Sequence, residues 1–589
     1  MVTMEKRLAQ MRHARTTSIN FATMEKRAAE RLPAPGEFDI ESDSVSDAES
    51  LKSKNGSTEV TWMSLPRKDQ LAILFLCRLV DFLQVASLQA YVFFQLKSLD
   101  NTLSDAQVSS QAGILQGAFT GAQVLTAFLW GKAADASWCG RKRVLLIGLL
   151  GTAISCLGYG FATSFAWAVF FRAMGGGING TVGIIRTMIA EITVEKKYQS
   201  RAFLILPISF SVANTLGPLM GGLLADTSKS LPGIFGEGAC FGFGWIQKYP
   251  YALPSVLNAI TLTITTLIVF FALEETSSKR KGKEDVGLHL ASQIKRYFFG
   301  KPAQEYGFFK IQPLDSPDSL LEPKDSGEDS SPSIKHQHKR DGRTLPFSRV
   351  WTRNVIFTLI TEAFYDFQLG AFTNLWTLFL STPRSSLDEV VSRSLPWKFT
   401  GGLGMPAATV GLATSILGIL GMALQIFLYP SVHARLGTLR GFRWFLLLFP
   451  VAYFLAPYLA VLPSSTESPA PASGPVIWLY MTLVQILQVM ARTITLPASI
   501  ILLNNCSPHP SVLGLVHGLG QSVSAGFRTV GPVVGGWWYG EGLEMGMVGA
   551  SWWAVALVSA LGCGSAMLIY EGSGHEILLE GEEDEKLLG

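Results

Sequence analysis

Two carboxylates, Glu362 and Asp366, stand four residues apart inside a long apolar stretch, on what would be one face of a helix. In a low-dielectric setting such a pair resists double ionisation, so one member is expected to hold a proton near neutral pH. A site that is charged in one state and neutral in another suits a proton-coupled carrier. The competing expectation is structural, with each acid neutralised by an arginine, Arg492 or Arg528. Arg78 and Asp81 form a second pair, three apart on one face, and there neutralisation by Arg78 weighs against a direct proton role for Asp81. Arg172, Arg186 and His517 add further charge or titratable groups to apolar stretches. An ionised residue in mid-membrane costs about 2.5–3.5 kcal/mol, so several of them imply a use or a partner. Amides and aromatics in the same stretches could line a cavity for amphipathic molecules of middling size: Gln84, Gln89, Tyr91, Asn179, Tyr365, Asn374 and Trp376, with Arg492. Any one of them could equally serve as glue between helices, and Asn179 could simply pack beside Gly180.

The elements that must position these residues are helices long enough to cross a bilayer. Apolar runs of roughly 20 residues match a ~30 Å hydrocarbon core. Twelve are expected, near 70–96, 107–131, 144–162, 165–190, 202–225 and 251–273, then 353–381, 406–430, 442–461, 475–503, 513–538 and 549–570. The two sets of six carry an internal echo. Gly217-Pro218-Leu219-Met220-Gly221-Gly222 in span 5 recurs as Gly531-Pro532-Val533-Val534-Gly535-Gly536 in span 11. Asp81-Phe82 with Tyr91 is likewise matched by Asp366-Phe367 with Trp376. The expected fold is therefore an all-α membrane protein, two six-helix bundles in tandem, an arrangement that points to transport rather than soluble chemistry. Proline is expected to bend each echoed helix, and glycines one turn apart to admit a close neighbour.

Composition agrees, with 48% hydrophobic and only 16% charged residues. The charges crowd into a polar tail at 1–68, a linker at 274–350 and a tail at 572–589, leaving bundles at 69–273 and 351–571. The first tail is acidic and Ser-rich and reads as disordered; the linker reads as a flexible tether, with regulation by phosphorylation as the other possibility. No signal peptide opens the chain. A net charge of +3 speaks against nucleic acid as a partner. The six cysteines form no metal-ligand spacing, so no metal or cofactor is expected, and the absence of a phosphate-binding Gly-Lys loop argues against ATP as power source. Basic residues mark the 2–3, 4–5 and 8–9 connections, whereas connections 3–4, 9–10 and 11–12 have none. Both termini and the linker are thus expected in the cytosol, despite Arg384, Arg393 and Lys398 in connection 7–8.

With the echo, the spans and a basic turn after span 2, the chain resembles the major facilitator superfamily, and within it the twelve-span drug:proton antiporter branch. Asn179-Gly180 through Glu191 is similar to the zinc-induced facilitator-like group, and Lys248-Tyr249-Pro250-Tyr251-Ala252-Leu253-Pro254 resembles fungal multidrug members. The turn from Gly131 through Asp135 to Gly140-Arg141-Lys142 matches the family's gate latch, with Ala136 where a basic residue is usual and two extra residues before Gly140. The resemblance implies that Arg141 pairs with Glu191, that Arg172 assists proton transfer, and that the Gly-Pro phrases belong to an antiporter. The corresponding turn in the second half, Tyr429 to Arg440, lacks the acid. The implied function is proton-coupled export of small organic molecules by a monomer with no enzymatic activity, in the plasma membrane in preference to the vacuolar one. Proton-coupled uptake of a nutrient or metal chelate, or a non-transporting sensor, remain as alternatives.

Overall fold

The computed structural model describes residues 64–193, 195–236, 238–239, 242–277, 280, 285–299, 345–385 and 394–577. The acidic tail, most of the linker, the last twelve residues, Cys240 and Arg393 lie outside them.

Ten helical stretches among the described residues are long and apolar enough to cross a bilayer. One of them, Ala407–Val461, runs for 55 residues and contains both span 8 and span 9. They are separated at Gly437, where φ is +69° and the helix direction breaks. Leu513–Glu544 is span 11; its 32 residues are less apolar because they include His517, Arg528, Glu541 and Glu544. The remaining spans are Lys68–Gln89 continued by Val92–Leu99, Asp105–Asp135, Arg141–Gly160, Phe165–Ile178 with Thr181–Ile192, Lys196–Phe203 with Ile205–Leu223, and Ala252–Ala272. In the second bundle they are Arg353–Ser381, Pro475–Asn505 and Gly549–Ala566. The twelve-helix fold is the one expected.

Local sequence fixes the ends and breaks. Span 2 opens on a capping box: the Gln107 amide N–H donates to Ser104 Oγ at 3.2 Å, and the Ser104 N–H donates to Gln107 Oε1 at 3.1 Å. Ser164 and Thr352 cap spans 4 and 7. Span 4 breaks at Asn179, whose Oδ1 accepts from the Thr181 N–H and hydroxyl and so replaces helix bonds lost there. Large apolar side chains such as Leu479, Leu557 and Ile154 point outward and exposed, as helices surrounded by lipid require. Five cysteines are buried and unpaired. At Cys139, in the 2–3 turn, burial pushes the thiol above its ordinary value, consistent with a packing role.

One element was not foreseen. The first part of the linker contains a helix, Val286–Phe299, and the residues just before it touch the 2–3 turn.

Candidate functional site: a cleft between two bundles

The echoed phrases sit where the bundles meet, and each glycine has a definite neighbour. A Cβ on Gly217 or Gly221 would strike Ala86 or the Ser87 carbonyl of span 1, and one on Gly531 or Gly535 would strike Phe367 or Ala371 of span 7. The final glycine of each phrase faces the opposite bundle instead. Gly222 lies against the Ala407 carbonyl of span 8, and Gly536 against the Ser109 carbonyl of span 2. Two glycines thus bind the helix to its own bundle and the sixth position closes the seam. Gly411 and Gly113 return the contact, each admitting a proline carbonyl, from Pro218 and Pro532.

This closure holds at one end only. On span 2, Gly113, Gly117 and Gly121 recur every fourth residue and face span 11. The next member of the stripe, Leu125, is 81% exposed, and Phe128 is 67% exposed. On span 11, Gly518 and Gly526 have nothing within contact range. Spans 2 and 11 therefore part toward the end that carries the 2–3 turn. Arg186 of span 4 and Arg528 of span 11, from opposite bundles, are both exposed. The bundles leave accessible space there, a cleft that opens at the end of the turn.

The turn itself is braced. Arg141 forms an ion pair with Glu191 at the end of span 4 and lies 3.5 Å from Asp135. Gly140 has φ +81°, a left-handed conformation, and a Cβ there would meet Arg280 and Glu275. Glu275, just past span 6, accepts from the backbone N–H groups of Arg141 and Lys142 at 3.1 and 3.2 Å, capping the positive start of span 3. Lys142 Nζ reaches Asp285 at 2.7 Å and the Phe270 carbonyl at 2.9 Å, while Arg280 donates to the Cys139 carbonyl. Sequence reasoning named Arg141 and Glu191; it missed Glu275, Arg280 and Asp285, which only a folded chain brings to the turn. Gly131 has open space around it. In the second bundle, Arg443 donates to the carbonyls of Ala566, Met567 and Ile569, a latch to backbone where the first bundle uses acids.

The intramembrane charges fall into distinct states. Asp366 is buried and takes both Nε (3.1 Å) and Nη2 (2.5 Å) of Arg528 on one oxygen. Glu362, one turn earlier, is 8% exposed, and its Oε2 accepts no hydrogen bond among the described residues. It borders a small cavity with Thr358, Thr361, Tyr365 and Ser499. Neutralisation by arginine thus holds for Asp366 and not for Glu362. Asp81 pairs with Arg78 and accepts from Asn179 Nδ2 at 2.5 Å. Arg172 is buried in the first bundle, donating to Gln84 Oε1 at 3.3 Å and resting on the Phe119 ring, with Nε and Nη2 unsatisfied.

The expected cavity wall is largely displaced. Tyr91 bonds Ser255 inside the first bundle. Trp376 stacks on Phe372 with under 2% exposure, and Tyr365 accepts from Thr495. Asn374 donates to the Pro532 carbonyl, and Asn179 and Gln84 are buried by the contacts above. Six of the proposed wall residues are thus helix-packing groups in this conformation, because aromatic and amide faces at the closed end are filled by neighbouring helices. Gln89 and Arg492 keep partial exposure. Arg492 lies over the Phe210 ring of span 5, 4.4 Å from its centroid, and Phe210 meets Phe82 edge-on at 4.9 Å. Arg78 lies over the Phe82 ring, 3.7 Å from its centroid. Phe210 gave no sequence signal, being one apolar residue among many in its span.

Two six-helix bundles, a seam closed by paired glycine phrases and an accessible cleft between them define a multi-pass membrane transporter. The sequence family described as Major Facilitator Superfamily matches residues 73–383. The chain belongs to that superfamily. It is 32% identical over 527 residues to the "Major facilitator superfamily multidrug transporter mfsB" of Aspergillus fumigatus, covering 85% of this chain and 83% of that one. It is 25% identical to the "Efflux pump azaK" of Aspergillus niger, covering 79% and 80%. Identity to "Protein ZINC INDUCED FACILITATOR 1" of Arabidopsis thaliana is 23%, covering 79% and 83%. Among solved structures, a D-xylose-proton symporter superposes with a TM-score of 0.56 at 13% identity, covering 86% of this chain and 99% of that one, a likeness of fold.

Proposed function

We propose that this transporter exports small organic molecules from the cytosol in exchange for protons moving inward, as a monomer in the plasma membrane. The observation that carries the reading is Glu362, a buried acid with an unsatisfied oxygen one turn from Asp366, whose charge Arg528 already answers. Such an acid can take and release a proton without breaking an ion pair, whereas Asp366, Asp81 and Arg172 stay engaged with Arg528, Arg78 and Gln84. With basic turns on the cytosolic side, the cleft faces the cytosol, the side from which an exporter loads. The names of the fungal relatives, a multidrug transporter and an efflux pump, favour the same direction. A proton entering along a potential of 100 mV contributes about 2.3 kcal/mol, enough for appreciable accumulation without nucleotide.

A strain lacking the chain, screened against toxic organic compounds and metals, tests this reading. Wild type is expected to restore resistance to organic compounds and Glu362→Gln to fail. Full resistance from both Glu362→Gln and Asp366→Asn ends the proton assignment.

A further inference from the structure

Five guanidiniums, Arg78, Arg172, Arg186, Arg492 and Arg528, stand well inside the spans against three carboxylates, Asp81, Glu362 and Asp366. Two of the arginines are neutralised: Arg78 by Asp81, and Arg528 by Asp366. Arg172, Arg186 and Arg492 have no carboxylate within ion-pair distance among the described residues, and of these Arg172 is buried inside the first bundle against Gln84. Arg186 is exposed and Arg492 partly exposed, one on each bundle. Arg492 rests on an aromatic face and keeps its fork of N–H donors for another partner. Arg186 is exposed five residues before Glu191, which Arg141 already holds. Beside them Phe82 and Phe210 are partly exposed, offering an apolar surface next to the charge.

We propose that the cleft selects amphipathic organic anions, an aromatic or aliphatic body carrying a carboxylate. The head group pairs with Arg492, which has no carboxylate of its own, as a charge-assisted hydrogen-bonded partner; Arg186 adds positive potential, and the body lies beside the exposed parts of Phe82 and Phe210. A cationic compound of the same shape meets two uncompensated guanidiniums and is repelled. Because Arg492 and Phe210 belong to opposite bundles, a ligand resting on both touches both and draws them together, which is the step that begins reorientation. The inference rests on the export reading for direction only; selection by charge is a property of the cleft itself.

Equilibrium dialysis of the full chain in nanodiscs, with naphthalene-2-carboxylate and 2-naphthylmethylammonium as probes of one body and opposite charge, tests it. The carboxylate is expected to bind at least about tenfold tighter than the ammonium. Arg186→Gln and Arg492→Gln should each weaken the carboxylate by about tenfold and leave the ammonium unchanged or tighter, while Arg186→Lys retains part of the preference. Thermal melting of each variant checks that it is folded. Equal or tighter binding of the ammonium, no binding of either probe, or Gln variants that leave carboxylate binding intact would overturn the proposal. Liposome counterflow separates the two readings. Transport of the ammonium alone sinks the anion inference and spares export, whereas carboxylate binding with no movement of either probe sinks transport and spares the inference.

Discussion

Asp366 and Arg528 are unequal partners, since the acid side chain is 3% exposed and the arginine side chain 53%. Removing the arginine strands a buried carboxylate, whereas removing the carboxylate leaves a cation that water already reaches. Breaking a buried pair costs about 3–5 kcal/mol, and the exposed partner places Arg528→Gln toward the lower figure. Thermal melting in nanodiscs should therefore show a large fall for Arg528→Gln, a small one for Asp366→Asn, and recovery in the double variant. Equal falls would mean that the pair is symmetric. Residue-scale reading from sequence was uneven for the same reason. Charges inside apolar runs are conspicuous wherever they occur, so Glu362, Asp366, Asp81 and the arginines were all noticed. Whether Tyr91 or Trp376 faces a cleft or a neighbouring helix depends on tertiary packing, and nothing in their local sequence distinguishes the two.

At the scale of elements, the Gly-Pro phrases divide their labour by position. The first and fifth residues seat the helix in its own bundle, and the sixth meets the other bundle across the seam. Gly222→Val and Gly536→Val should then hinder closure of this end while leaving each bundle intact. Cysteines placed near Ala407 or Ser109 should become more reactive in these variants, and Gly217→Val, inside a bundle, should instead lower stability by about 1–3 kcal/mol through overpacking. If all three behave alike, the positions are equivalent. The phrases were legible because glycine, proline and repetition are local signals, and span lengths were legible because bilayer thickness dictates them. The brace on the 2–3 turn was half legible. A short motif announced Arg141 and Glu191, but Glu275 and Asp285 arrive from beyond span 6, over a hundred residues later, where they look like ordinary linker charge.

For the whole molecule, the splay of spans 2 and 11 fixes which side is open. Cysteines at Leu125 and Phe128 should react with a membrane-impermeant maleimide added from the side of the 2–3 turn, and a cysteine at Ser109, buried at the closed end, should not. Labelling of both sites from the same side, or of Ser109 alone, would reverse the assignment. Arg492 over Phe210 is a contact between bundles at the partly open seam, joined through Phe82 to Arg78. Rocking the bundles must loosen it on every cycle. A Phe210→Leu variant, which removes the ring beneath Arg492, should therefore flip more readily without cargo, read as faster switching in single-molecule distance measurements across the seam; unchanged switching would mean that the contact restrains nothing.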